Sequence, residues 1–81
     1  MSMSLDALPV GQCARVLSVD ERSCMRRRLY DLGFTAGAVA RCLYESPAGN
    51  PRAYALRGTV IALRNGDARA VALDGGDAFE H

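Results

Sequence analysis

The hydrophobic and polar positions of this chain change period as it proceeds, and each change marks an element. Ser4 to Gly11 (Ser-Leu-Asp-Ala-Leu-Pro-Val-Gly) reads as one helical turn, with Ser4 as cap and Pro9 to Gly11 as stop. Ala14 to Val19 predicts a strand with Ala14 and Val16 facing inward and Arg15 outward. Its Val-Leu-Ser-Val end alternates less cleanly. Asp20 then opens the one sustained helix, Glu21 to Leu32, with Asp20 capping free N–H groups and Glu21 at the positive end of the dipole. Met25, Leu29 and Leu32 fall at i, i+4 and i+7, a single narrow apolar stripe. Gly33 follows where a left-handed C-terminal residue is wanted. Arg27 points away from the stripe, four residues before Asp31, its expected partner.

Beyond Gly37 the period becomes two. Ala38 to Glu45 predicts a strand with Ala40, Cys42 and Tyr44 on one face and Arg41 on the other. Pro47-Ala48-Gly49-Asn50-Pro51 is a loop, since its prolines deny ladder donors and Gly-Asn favours a turn. Arg52 to Arg57 alternates again, with Tyr54 and Leu56 on one face, and Gly58 breaks it as a bulge or tight corner. Thr59 to Arg64 places Ile61 and Leu63 together, Asn65-Gly66-Asp67 signals a tight turn, and Ala68 to Leu73 closes the series with Val71 and Leu73 inward. The expected fold is mainly β, a small bent barrel of about five strands with one inserted helix at about 21–32. Closure of the barrel would remove the exposed edges of an open sheet. The domain is expected to span 4–73, with 74–81 a flexible tail.

Composition narrows the function classes. A chain of 81 residues is one domain, large enough for one modest core. The formal charge of +1 gives no overall field to draw in nucleic acid or acidic lipid. All ten basic residues are arginine and lysine is absent, which, beside many alanines and glycines, fits a GC-rich coding bias. No apolar run is long enough to cross a membrane, and the start lacks the basic and apolar regions of a secretory signal. Cys13, Cys24 and Cys42 form no CxxC pair, so neither a disulfide framework nor a tetrahedral zinc site is expected. The expected location is cytoplasmic, with reduced thiols.

The candidate chemistry is sparse. The Arg26-Arg27-Arg28 run could bind phosphate, but acidic residues at both ends of the helix and few aromatic platforms favour a solvated or partner-facing surface over nucleic acid. Cys42 reads as a small core residue, Cys24 as accessible, and Cys13 precedes the first strand. None has a histidine neighbour to activate it, because His81 is the only histidine and the last residue. No nucleophile–base pair, paired carboxylates or phosphate-cradling glycine loop with lysine occurs, so no enzymatic activity and no cofactor is expected.

The order of the blocks is more specific than any one of them. Leu5-x-x-Leu8-x-x-Gly11 precedes Arg27-Arg28-Leu29-x-Asp31-Leu32-Gly33-Phe34-x-x-Gly37. Pro47-x-Gly49-Asn50-Pro51 follows, then Arg57-Gly58-Thr59-x-Ile61-Ala62-Leu63-Arg64 and a final alternating strand. Together they resemble the FeoA family, ferrous iron transport protein A, over about Ser4 to Leu73. The resemblance implies an SH3-like barrel and a cytosolic accessory protein of bacterial ferrous iron uptake. Such proteins are thought to act on the cytoplasmic GTPase domain of the FeoB membrane transporter, which would bring this chain to the inner face of the membrane only indirectly. It implies no metal or cofactor of the chain's own.

The sequence departs from the family where the usual Pro-Leu-Gly-Asp-Pro loop reads Pro47-Ala48-Gly49-Asn50-Pro51, losing an exposed leucine and a carboxylate. Ala40 and Cys42 also stand where larger branched residues are common. By position, the partner-contact candidates are Arg27, Leu32, Gly33 and Phe34 at the helix corner, and Pro47, Gly49, Asn50 and Pro51 in the loop. Each has a structural alternative: Gly33 as helix cap, Phe34 as barrel plug, Pro51 as strand terminator. Further readings are an orphan regulatory module of metal-dependent transcription control acting by protein contact, a small-barrel nucleic-acid binder, and direct iron or zinc binding through the cysteines.

Overall fold

The structure, a computed structural model, describes residues 3–74. The tail anticipated at 74–81 lies, beyond Asp74, outside the described residues. The elements are β1 (Met3–Ser4), a 3₁₀ turn (Leu5–Ala7), β2 (Cys13–Val19), α1 (Arg26–Leu32), β3 (Val39–Glu45), β4 (Arg52–Leu56), β5 (Thr59–Leu63), α2 (Asn65–Ala68) and β6 (Val71–Asp74). They form one antiparallel sheet of six strands in the order β1-β6-β2-β3-β4-β5. The two-residue β1, which sequence periodicity does not show, adds to the five expected strands. The inner face carries Val16, Ala40, Cys42, Tyr54, Leu56, Leu63, Val71 and Leu73, all buried, and Leu29 of α1 and Phe34 close one side of the same core.

Two bulges set which side chains enter that core. The register shifts between Val16 and Ser18, so Val16 and Val19 both face inward while Leu17 is exposed, which explains the broken alternation there. A second shift, between Cys42 and Tyr44, overturns the placement of Tyr44 beside Ala40 and Cys42. Cys42 pairs with Tyr54, but Tyr44 pairs with Ala53 and is 60% exposed, and Glu45 comes opposite Arg52. One extra residue thus exchanges Tyr44 for Glu45 on the inner side of the strand.

The helix is shorter than expected. α1 begins at Arg26 after Met25, with no side-chain cap, and 21–22 and 24–25 are turns. The Asp20 carboxylate accepts the Arg22 N–H (2.9 Å) and the Ser23 hydroxyl accepts the Met25 N–H (3.1 Å), local bonds that compete with helical ones. Among the described residues Arg27 and Asp31 form no ion pair. The tight turn expected at Asn65-Gly66-Asp67 is instead the helical turn α2, so the last strand begins at Val71 and Ala68 is buried within α2. Ser4 does not cap the 3₁₀ turn; its hydroxyl donates to the Asp6 carboxylate.

No ladder joins β5 to β1. Arg52 and Tyr54 of β4 donate to backbone carbonyls of the segment after β1. Full closure by strand pairing, which would have removed every edge, is therefore not reached.

Candidate functional site

The helix corner is built by the Leu32-Gly33-Phe34 sequence. Gly33 takes φ of 113°, its N–H bonding to Tyr30, while the Phe34 N–H bonds to Leu29, each at 3.0 Å. That is the double-bonded left-handed helix stop, with buried Leu29 and Phe34 in the same core. A β-carbon on Gly33 would sit 3.2 Å from Leu56 Cδ2, so the corner rests directly on the end of β4. There the chain reverses through Arg57 and Gly58, both with positive φ (53° and 79°), the two-residue hairpin turn that matches strand twist. Arg57 Nη2 donates to Thr35 Oγ1 at 3.1 Å, joining turn to corner.

Of the corner candidates, Arg27 is exposed, Leu32 is half-buried against the core, and Gly33 is structural. Phe34 has no exposed surface, so it plugs the barrel and offers nothing to a partner. The loop candidates serve the fold too. Asn50 Oδ1 accepts the Asn65 N–H at the start of α2 (2.9 Å), and the Gly49 carbonyl accepts from Asn65 Nδ2 (3.0 Å). The Ser46 N–H donates to the Pro51 carbonyl at 3.1 Å, and the Asn50–Pro51 peptide is cis. Pro47, Asn50 and Pro51 remain exposed. The two candidate groups lie at opposite ends of β4, since the loop precedes Arg52 and the corner touches Leu56. They do not form one site.

Arg52 is the residue that sequence reasoning passed over. It is 6% exposed; Nη1 donates to the Asp6 carbonyl and Nη2 to the Leu8 carbonyl, both at 2.6 Å. Its Nε lies 3.5 Å from Glu45 Oε1, an ion pair without hydrogen-bond alignment, and the guanidinium sits 6.0 Å from the Tyr54 ring centre. A signal was present, because Arg52 falls on the Tyr54–Leu56 face of its alternating strand. Burial pushes the Tyr54 hydroxyl up to about 12, against an opposing pull from Arg52. Burial likewise raises the Cys42 thiol, again opposed by Arg52.

Other chemistry is thin. Cys24 is exposed, Cys13 half-buried and Cys42 buried, and no group of three metal-ligating side chains occurs among the described residues. An open depression between 20–25 and α2 sets Asp20 and Asp67 beside Arg22 and Arg69, mixed charge with no nucleophile–base pair. No described helix is long and apolar enough to cross a membrane.

The FeoA domain model matches residues 3–74. The chain belongs to the FeoA family. Comparison with curated protein sequences gives no match. Among solved structures, Stenotrophomonas maltophilia FeoA complexed with zinc shares 34% identity at a TM-score of 0.80, covering 89% of each chain. Chlorobium tepidum FeoA shares 32% identity at 0.79, covering 94% of this chain and 77% of the other. A manganese-dependent transcriptional repressor reaches 0.79 at 18% identity, covering 89% of this chain but 40% of its own, which shows the fold alone. FeoA proteins are small SH3-like domains associated with ferrous iron transport, and this chain has their fold.

Proposed function

We propose that this FeoA domain is a non-enzymatic, cytoplasmic accessory protein of ferrous iron uptake that docks on the GTPase domain of a FeoB-type transporter. The observation that carries the reading is the FeoA match across 3–74, which accounts for every described element. The sparse chemistry supports it: buried polar side chains such as Arg52 bond to the chain's own backbone, which is structural work. Exposed Arg27 on α1 and the Pro47, Asn50 and Pro51 loop face are proposed as separate contact surfaces, with Gly33 and Gly49 shaping the backbone beneath them. Titration calorimetry against the isolated GTPase domain tests this, with saturable binding at micromolar concentrations expected. A folded chain that shows none at high micromolar concentrations sinks the reading.

A second reading, an orphan regulatory module, draws on the fold likeness to the manganese-dependent repressor. It predicts binding to a DNA-binding protein instead of the GTPase domain, and parallel capture on both baits separates the two.

A further inference from the structure

The sheet ends on β5 with an unprotected margin. β1, at the other end of the order, is two half-buried residues long, whereas β5 offers five residues without a proline, bulge or charge. Leu56 and Thr59 close a two-residue turn, so they form a hydrogen-bonded pair, and the pattern alternates from there. Thr59, Ile61 and Leu63 therefore direct their N–H and C=O groups to β4, and Val60 and Ala62 direct theirs outward. No backbone hydrogen bond from any other described element reaches β5. The Val60 side chain is 62% exposed and Ala62 is exposed beside it, while Ile61 and Leu63 fill the core.

Charge selects the occupant. Exposed Arg57 and Arg64 bracket the strand, and neither forms an ion pair among the described residues; Asp67 lies a turn beyond Arg64 without reaching it. A second copy on this edge would set arginine against arginine. Antiparallel pairing about Ile61 brings Arg57 beside the partner's Arg64 twice, and parallel pairing aligns each with itself. Like charges so placed oppose association. We propose that β5 is a strand-addition site for an extended segment of a partner protein, uncharged and β-prone over four or five residues and acidic at both ends. Main-chain bonds to Val60 and Ala62 hold the segment, and Arg57 and Arg64 fix its register. The proposal goes beyond the transporter reading, and its test contains no transporter, so each stands or falls separately.

The test is titration of the labelled protein, followed by NMR, with a blocked peptide of alternating threonine and valine carrying two acidic residues at each end. The largest shifts are expected at the Val60 and Ala62 amides, whose hydrogen exchange slows about tenfold with free peptide at ten times Kd. Glutamine in place of the acids weakens binding about tenfold at low salt, and Arg64→Gln about threefold. Ala62→Pro removes an outward N–H and leaves the β4 ladder intact, so the fold survives and binding is lost. No shifts, shifts centred elsewhere, equal binding of the glutamine peptide or of Arg64→Gln, or unchanged binding to folded Ala62→Pro each overturns the proposal. A dimer in sedimentation that Ala62→Pro dissolves overturns it as well, since the occupant would then be a second copy.

Discussion

Arg52 Nη2 donates to the Leu8 carbonyl across 2.6 Å, tying the strand beside one margin of the sheet to the segment that follows the other. With the companion bond to Asp6, this guanidinium holds β4 to the segment that follows β1, where no backbone ladder does so. Bonds to a charged donor are the strong kind, each contributing about 1.5–3 kcal/mol. Arg52→Ala is expected to cost about 3 kcal/mol or more, read as a lower urea midpoint at unchanged slope. Arg52→Lys keeps the charge but not the fork, so it falls between. Glu45→Gln costs under about 1 kcal/mol, because Glu45 is half exposed.

Gly33 and Gly11 make a controlled pair. Both have positive φ, 113° and 87°, but a β-carbon on Gly33 meets Leu56 at 3.2 Å and one on Gly11 meets nothing within 4 Å. Gly11→Ala bears the backbone strain alone, about 1 kcal/mol. Gly33→Ala adds the clash and is expected to cost about 2–3 kcal/mol in the same measurement.

Alkaline pH loosens the fold through Tyr54. Its hydroxyl titrates at about 12 in the folded chain, above the ordinary value near 10. The unfolded chain therefore loses this proton first, and the Tyr54 contribution is whole below pH 10 and declines from there up to about pH 12. The loss is about 3 kcal/mol for a raised acid of this size. Cys42, also raised, adds a loss of the same sign that begins at lower pH, because an unfolded thiol ionises before an unfolded tyrosine. Tyr54→Phe should flatten the limb above pH 10 in urea denaturation series.

Thiol reactivity follows burial. Cys24 is exposed and Cys42 wholly buried, so Cys24 reacts with a disulfide reagent in the folded protein and Cys42 only on unfolding. Cys24→Ser is expected to remove the fastest phase and leave the slower reaction of half-buried Cys13 and the denaturant-dependent one of Cys42.

Two hydrogen bonds join the loop to α2, and the Asn50 side chain supplies one of them. Asn50→Ala deletes the acceptor for the Asn65 N–H and is expected to cost about 1 kcal/mol. Asn50→Asp keeps that acceptor, so its denaturation midpoint should stay near that of the parent.

Much of this molecule was legible because local patterns carry it. Alternation placed Val16, Ala40, Cys42, Tyr54, Ile61, Leu63, Val71 and Leu73 inward, since a pleated strand has two faces and only one is dry. Gly33 announced the end of α1 because few other residues accept its φ at low cost. The contact candidates were legible only as family positions, and Phe34 among them went to the core.

What the sequence by itself determined is therefore the five longer strands, the helix stop and the family. Tertiary structure alone decided the rest. The Cys42–Tyr44 bulge depends on how β3 registers with β4, and a one-residue shift exchanges faces at no local cost. The first N–H of α2 finds its acceptor on Asn50, fifteen residues earlier. Arg52 is buried because the Asp6 and Leu8 carbonyls meet it from the other end of the sheet. A charge enters a core only when distant partners complete it, and periodicity cannot see partners that far away.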